Sequence, residues 1–358
     1  MKNEPTSIPK KSAPPAEREA MLYEKFNGQS VRCELCGHRC LIAGGQYGLC
    51  RVRENVAGML MSRSYGRLVA VNADPIEKKP FFHVLPGSRS LSVAAAGCNF
   101  QCEFCQNWPI SQSPRDGRLL SGQAVSPEQI VSAATAYDCR SVSYTYTEPT
   151  VFFELAYDTA RLARARGLLN CFVSNGFLTP RAVETIRPWL DAINVDLKAF
   201  RDDTYRRVMK ARLEPVLTAL RALAAAGVWL EVTTLVVPGM NDSDAELRDI
   251  ATFIAAELGR HVPWHVSRFH GDYRMTSTPT TPTQTILRAC ELGHQAGLHY
   301  VYTGNLPANN TPDPCGENTH CPHCRRLLIA RSGFTVRENA IVNNACPDCG
   351  RRIEGVWG

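Results

Sequence analysis

The chain has 358 residues, 44% of them hydrophobic and 21% charged, with a net charge of +6. That is ordinary globular composition with room for one large domain and attachments, and no apolar run reaches the ~18–20 residues of a membrane span. The basic excess lies wholly in residues 1–97, 14 Lys and Arg against 8 Asp and Glu; spread over that length, it reads as solvated surface and argues against a nucleic-acid partner.

In chain order, the opening MKNEPTSIPKKSAPPAEREA is rich in Pro, Lys and Glu and has no apolar core. It predicts a disordered leader over residues 1–20, no secretory signal and a cytoplasmic location. Residues 21–90 form a Cys-rich N-terminal region with short strands such as LVAVNA. From residue 91 the pattern alternates. LSVAAA (91–96), SVSYTYT (141–147), LLNCFVS (168–174), DAINVDL (191–197), VWLEVTTLVV (228–237), WHVSRF (264–269) and LHYVYTG (298–304) read as strands. Amphipathic stretches lie between them, among them VFFELAYDTARLARARG, TPRAVETIRPWL, DAELRDIATFIAAELG and TQTILRACELGHQAG. Strands alternating with helices of 10–15 residues imply βαβ units and a parallel sheet. Six or seven such units over residues 91–306 predict a partial or full TIM-like barrel of the α/β class. A doubly wound open sheet is the alternative, weakened because no dinucleotide-type glycine motif follows any strand. Residues 315–358 carry paired knuckles and read as a small module stapled by metal, too short for a sufficient core of its own.

Fifteen cysteines stand out. In a reducing compartment, clustered thiols point to metals rather than bridges. Cys33, Cys36, Cys40 and Cys50 supply four thiolates within eighteen residues, enough for a structural zinc site or a second iron–sulfur cluster, with His38 as a spare ligand. Cys321-x2-Cys324 and Cys346-x2-Cys349 have zinc-ribbon spacing, with Cys315 and His320 as extras. Cys139, Cys171 and Cys290 are isolated and read as small buried hydrophobes.

The remaining three, Cys98, Cys102 and Cys105, lie in GCNFQCEFCQNW, directly after the first predicted strand of the barrel. Three thiolates leave a four-ligand site unfinished. They can hold three irons of a four-iron, four-sulfur cubane, which usually takes four cysteines, and leave one iron open. C-x3-C-x2-C in this position, with Phe104 before the last cysteine, resembles the radical S-adenosylmethionine (SAM) superfamily. The resemblance implies that the open iron chelates the amino and carboxylate groups of SAM. Reductive cleavage then yields a 5′-deoxyadenosyl radical, which abstracts a hydrogen atom. An electron donor such as flavodoxin or ferredoxin is implied with it.

Active sites of such barrels lie at the carboxyl ends of the strands. Those ends carry Thr147-Glu148-Pro149, Ser174-Asn175-Gly176, Asp196-Leu197-Lys198, Asn241-Asp242, Arg268-Phe269-His270 and Thr303-Gly304-Asn305. Asn175-Gly176 also fits a simple turn and Asn241-Asp242 a helix cap. Glu148 and Asp196 each need a partner once buried, which a cationic amino group or a ribose diol supplies. YTYTEPT, SNGF, NVDLKAF, LVVPGMND and SRFH are similar to the pyruvate formate-lyase activating enzyme group. That likeness aligns Glu148 with the glutamate of the group's Gly-Gly-Glu motif, although Tyr146-Thr147 replace the glycines. It aligns Asp196 and Lys198 with its Asp-Leu-Lys motif, Ser174 and Asn175 with its Thr-Asn-Gly turn, and His270 with a histidine at the sixth strand end. Val173 stands where the group has an aspartate for a monovalent cation. Phe104, Glu148, Ser174, Asn175 and Asp196 are therefore the SAM-side candidates, and Lys198 and His270 the catalytic ones.

A narrower likeness runs from about residue 20 to 358. CELCGHRC, DPIEKKPFFHVLPGS, GCNFQCEFCQNWPISQ, HVSRFH, YVYTGN and CPDCG…IEGVW resemble the AmmeMemoRadiSam-system radical SAM enzymes, which implies association with Memo-type and AMMECR-type proteins. Two other readings stay open: a glycyl-radical activase, and a non-enzymatic zinc-ribbon binding protein whose central cysteines are structural.

Overall fold

The structure, a computed structural model, describes residues 17–116, 122–306 and 315–358. Seven parallel strands follow one another across one sheet in chain order: β1 (Arg89–Ala95), β2 (Ser141–Tyr144), β3 (Leu169–Ser174), β4 (Ala192–Asp196), β5 (Trp229–Val236), β6 (Trp264–Arg268) and β7 (Val301–Gly304). Helices run between them: α1 (Pro127–Ala136), α2 (Phe153–Ala165), α3 (Pro180–Ile186), α4 (Leu213–Ala225), α5 (Asp244–Phe253) and α6 (Thr283–Gln295). Most strand residues are buried on both faces, as expected of parallel strands with helices outside and a filled interior.

Local sequence sets the helix starts. Ser126 accepts from the Gln129 amide while the Gln129 side chain returns to the Ser126 amide, a full capping box with Pro127 in the first turn. Thr179 and Ser243 cap α3 and α5 in the same way, through Ala182 and Glu246 amides. On α2, Phe153, Ala156, Ala160 and Ala163 recur at helical spacing and are buried.

Among the described residues the sheet ends at β7 on one side and at the short strand Gln123–Ala124 on the other, and these do not pair. The barrel is partial. Its first edge is closed by a strand from outside the expected barrel limits. Arg67–Pro75, within the region 21–90 read as an appendage, pairs antiparallel with β1 from Leu68 opposite Ala95 to Pro75 opposite Arg89. The reason is physical: β1 has β2 on one side only, and its other edge needs hydrogen-bond partners. The leader expectation needs a similar correction at its end, since Arg18–Glu19 pair with Ser62 and Met61. Residues 1–16 of that expectation lie outside the described residues.

The segment after Arg67–Pro75 turns inward. Ile76, Phe81, Val84 and Leu85 are buried against Cys171 of β3 and Ala192 of β4. Val84 bridges to Val356, and the Leu85 amide donates to the Val356 carbonyl at 2.8 Å. Glu231 of β5, fully buried, accepts from the amides of Phe82 (3.1 Å) and His83 (3.0 Å) and contacts His265 Nε2 at 2.6 Å. These contacts plug the barrel interior below the mouth.

The N-terminal region is locked to α2 by an ion pair between Arg53 and Glu154, 2% and 0% exposed. Glu154 also accepts from the Met21 amide at 2.8 Å, and Arg53 donates to the Met21 carbonyl at 2.9 Å. Deleting one member of a buried pair strands the other charge. Glu154→Ala is therefore expected to cost about 3–5 kcal/mol, measured as a lower denaturant midpoint at unchanged slope. Arg288→Ala removes an exposed, solvent-screened pair with Asp244, and the midpoint is expected to stay where it is. No helix among the described residues is long and apolar enough to cross a membrane.

Candidate active site

A cavity of about 640 Å³ opens at the carboxyl ends of the strands. Cys98, Cys102 and Cys105 all line it, together with Phe104, Glu148, Ser174, Asn175, Asp196 and Lys198. The βα pattern brings these residues together because each lies at or just beyond the end of a parallel strand.

The cysteine loop leaves β1 through Gly97, at φ +110°, where a Cβ would meet Val52 at 2.8 Å. Only glycine fits that turn. The Cys98 sulfur accepts from the Phe100 amide at 3.4 Å and lies 3.8 Å from the Asn175 side-chain nitrogen Nδ2. The Cys105 sulfur is 3.2 Å from the Ser111 hydroxyl. Burial pushes the Cys102 thiol up to about 12, although the Lys198 ammonium works against it. Among the described residues, these three are not one of the groups whose ligand atoms converge within 4.8 Å, as ligands of one metal ion would. A single tetrahedral zinc, with bonds of about 2.3 Å, draws thiolates closer than this. Three spaced thiols facing a large cavity suit a cluster instead.

Glu148 stands 1% exposed at the start of the turn after β2. Its Oε1 accepts from the Ser174 hydroxyl (2.9 Å), the Thr150 hydroxyl (3.2 Å) and the Thr150 amide (3.3 Å); its Oε2 accepts from the Asn175 amide at 2.8 Å. Burial lifts its carboxyl to about 7 against the pull of these donors. Among the described residues it has no salt-bridge partner. A buried carboxylate with four donors and no counter-charge, on a cavity wall, is built to receive a cation. Asn175 turns its side-chain amide onto Asn99 at 2.7 Å and thereby braces the cysteine loop. Gly176 (φ +70°) lets the chain turn there, where a Cβ would stand 2.6 Å from Val195. The turn and the site contact are the same structure.

Lys198 pairs with Asp196 at 2.8 Å, and its ammonium lies 5.8 Å from the Phe104 ring centroid. Burial disfavours its charge, but Asp196 and the Cys102 thiol outweigh this and raise its pKa. Asn241 is a brace rather than a ligand: it donates to the carbonyls of Lys198 (2.7 Å) and Leu235 (2.9 Å).

His270 is a correction. It is exposed, lies outside the cavity lining and contacts the Gln106 side chain at 3.0 Å. β6 ends at Arg268, and beyond it the chain crosses to the cysteine loop, where the Arg274 amide donates to the Glu103 carbonyl at 3.0 Å and Tyr273 stacks on Trp108. The histidine on the cavity is His265, inside the strand. His265 and Ser267 of β6, with Thr233 and Leu235 of β5, line the cavity at alternate positions. That period of two in polar residues was the available sequence signal.

Two further walls come from outside the barrel. Glu77, Lys78 and Lys79 follow Arg67–Pro75. Lys78 and Lys79 both reach Asp74, at 2.8 and 2.6 Å, and Lys79 lies 4.2 Å from the Tyr146 ring centroid. Burial lowers Lys79 to about 8, against the pull of Asp74. Tyr146, at φ +61°, donates to Asp74 at 2.5 Å. Two ammonium groups share one carboxylate here, and Glu77 on the same wall supplies the second negative group. The other wall is Glu317, Gly333 and Phe334 of the C-terminal module.

That module is the hairpin Leu327–Ser332 and Thr335–Asn339 between two knuckles. The sulfurs of Cys321, Cys324, Cys346 and Cys349 lie within 4.8 Å of one another, with Cys321–Cys349 and Cys324–Cys346 each at 3.6 Å. They are set to hold one metal ion. Leu328, Ile329 and Ile353 pack with Tyr300, Tyr302 and Phe82. Arg331 donates to the Phe82 carbonyl at 2.6 Å. Cys346→Ser is expected to lose one metal equivalent by elemental analysis and several degrees of Tm, because a closed thiolate site contributes folding energy. The isolated reading of Cys290 is overturned: it forms a disulfide with Cys315, Cα–Cα 5.9 Å, fastening α6 to the start of this module. Sequence separation hid the pair, since 25 residues divide them.

A partial parallel barrel with a cysteine loop after its first strand and a cavity at the strand ends is the arrangement that the sequence resemblance implies. The Radical SAM superfamily model matches residues 93–251. An uncharacterized protein of Methanocaldococcus jannaschii is 43% identical over 342 residues, 94% of this chain and 99% of that one. The benzylsuccinate synthase activating enzyme of Thauera aromatica is 24% identical over 213 residues, 53% of this chain and 63% of that one. The crystal structure of a radical SAM methyltransferase from Sphaerobacter thermophilus has a TM-score of 0.49 at 14% identity, over 61% of this chain and 66% of that one. The chain belongs to the radical SAM superfamily, and it is an enzyme that uses SAM and a four-iron, four-sulfur cluster.

Proposed function

We propose that Cys98, Cys102 and Cys105 hold the cluster, and that this cavity binds SAM and a second substrate together. The observation that carries the reading is the cation-seeking carboxylate, Glu148, on the same cavity wall as three thiols that leave one coordination place open. A cluster held by Cys98, Cys102 and Cys105 would supply the electron for reductive cleavage of the SAM sulfonium. The chain's own residues bind and orient. Glu148 accepts a hydrogen bond from the SAM amino group. Ser174 and the Asn175 amide hold Glu148 in place. Asp196 faces the ribose hydroxyls, and Lys198 keeps Asp196 ionised and oriented. Phe104 presents an apolar surface beside them. The walls exclude water from the radical.

The enzyme acts with Memo-type and AMMECR-type partners, either on them or on a substrate that they hold, and draws electrons from a flavodoxin- or ferredoxin-type donor in the cytoplasm. The sequence likeness to the AmmeMemoRadiSam-system enzymes over nearly the whole chain supports the partners. The C-terminal thiolates hold zinc, which the convergence of all four sulfurs within 4.8 Å supports. A second reading, glycyl-radical activation, is favoured by the likeness to activating enzymes such as those for benzylsuccinate synthase and (2S)-3-sulfopropanediol dehydratase. Anaerobically reconstituted, reduced protein should convert SAM to 5′-deoxyadenosine, seen by liquid chromatography. With the co-encoded partners present, the product should rise and carry deuterium from the labelled substrate. No 5′-deoxyadenosine under any reductant would overturn the function. A glycyl-radical signal in a partner protein, by electron paramagnetic resonance, would favour activation over the first reading.

A further inference from the structure

The four N-terminal cysteines take no part in the site above, yet they adjoin it. Cys33, Cys36, Cys40 and Cys50 ring a small cavity of about 20 Å³, whose wall also includes Asn99 and Thr150. At Gly48 a Cβ would stand 3.8 Å from both the Cys40 and Cys50 sulfurs, so the backbone folds directly over the thiols. Arg53, 2% exposed, donates to the Cys33 sulfur at 3.4 Å, and its Nε has no partner. Its charge is already paired with Glu154, so what it brings to the thiols is a hydrogen bond at the Cys33 sulfur.

Two observations separate the possible centres. Among the described residues, the C-terminal sulfurs converge within 4.8 Å but the N-terminal four do not form such a group. One ion needs convergence; a multi-iron centre spreads its ligands around itself. The other observation is position. His38, between Cys36 and Cys40, contacts the Asn99 carbonyl at 2.9 Å, and Asn99 follows Cys98 directly. Arg115 donates both to the Leu49 carbonyl, next to Cys50, at 2.9 Å and to the Cys98 carbonyl at 2.7 Å. The two thiol sets are thus joined by one residue and one guanidinium. A purely structural clip has no need of that adjacency.

We propose that Cys33, Cys36, Cys40 and Cys50 hold a second iron–sulfur cluster that passes single electrons to the centre on Cys98, Cys102 and Cys105. The acceptor in this inference rests on the function proposed above. An external one-electron donor of ferredoxin or flavodoxin type is oxidised by one electron, and the N-terminal cluster is reduced. That electron crosses to the second centre, which restores the N-terminal cluster to its oxidised form. No proton moves and no bond changes in this transfer.

The test uses the full chain, reconstituted with iron and sulfide under argon. The triple variant C98A/C102A/C105A should keep iron and acid-labile sulfide in equal amounts, about half the wild-type content. C36A/C40A should lose the other half while circular dichroism shows it folded. Reduced wild-type protein should give two spin–spin coupled resonance signals, and each variant a single uncoupled one. If C36A/C40A fails to fold, the triple variant and wild type decide alone. A triple variant without iron or sulfide overturns the proposal. So does a second zinc equivalent in wild type that C36A/C40A loses. Two clusters without spin coupling would overturn the electron transfer. Loss of 5′-deoxyadenosine in the triple variant bears only on the proposed function, so failure of either reading is distinguishable.

Discussion

Cys102→Ala is expected to reduce 5′-deoxyadenosine formation to the level seen without protein. The thiol is buried, faces the cavity and lies beside Lys198. With two thiolates instead of three, the loop cannot hold a cubane with one iron open, because a second iron then lacks a protein ligand. The variant should also lose the iron assigned to this loop and its absorbance near 400 nm, estimated at about half the iron of the full chain. Cys139→Ala is the control. Cys139 is equally buried but does not line the cavity, so SAM cleavage should persist despite a modest stability loss. A Cys102→Ala protein that cleaves SAM at the wild-type rate would remove Cys102 from the ligand set.

Glu148→Gln should weaken SAM binding by about 30-fold or more, the usual scale for stripping one partner from a buried charge pair. Isothermal titration with reconstituted protein reads this directly. The pH dependence has a definite sign. Burial raises the carboxyl to about 7, so below that pH the group is protonated and no longer receives the SAM amino group as a carboxylate. Affinity should fall about tenfold per pH unit on the acid side, and bound SAM, by favouring the carboxylate, pulls that limb lower. In Glu148→Gln the acid limb should vanish. An acid limb that survives the substitution would assign it to another group. The glutamine places an NH2 against the donors that now face Oε1 and Oε2, so folding should be checked by circular dichroism.

Much of this site was legible because its chemistry lies close together in sequence or at a repeating place in a repeating unit. Cys98, Cys102 and Cys105 are within one loop, and their odd number pointed to an unfinished coordination sphere. Glu148, Ser174, Asn175, Asp196 and Lys198 stand just past strands, where a parallel barrel collects its polar groups. The same rule failed at His270, because it counts residues after a strand without saying when the chain leaves the wall. His265 and Ser267 sit inside the strand, in an alternation that resembles any half-buried strand.

The sequence by itself determined the strand–helix alternation, the three-thiol loop and the two four-thiol groups, since each depends on local spacing and residue chemistry. Only the tertiary structure decided what surrounds them. The Lys78–Lys79 wall arises because the open edge of β1 recruits Arg67–Pro75, and the Phe334 wall because a hairpin more than two hundred residues downstream of the cysteine loop packs against the barrel's last strand. The Cys290–Cys315 bond and the junction of His38 and Arg115 with Asn99 and Cys98 are of the same kind. They join segments whose distance along the chain carries no record of their distance in space, and side-chain packing alone brings them into contact.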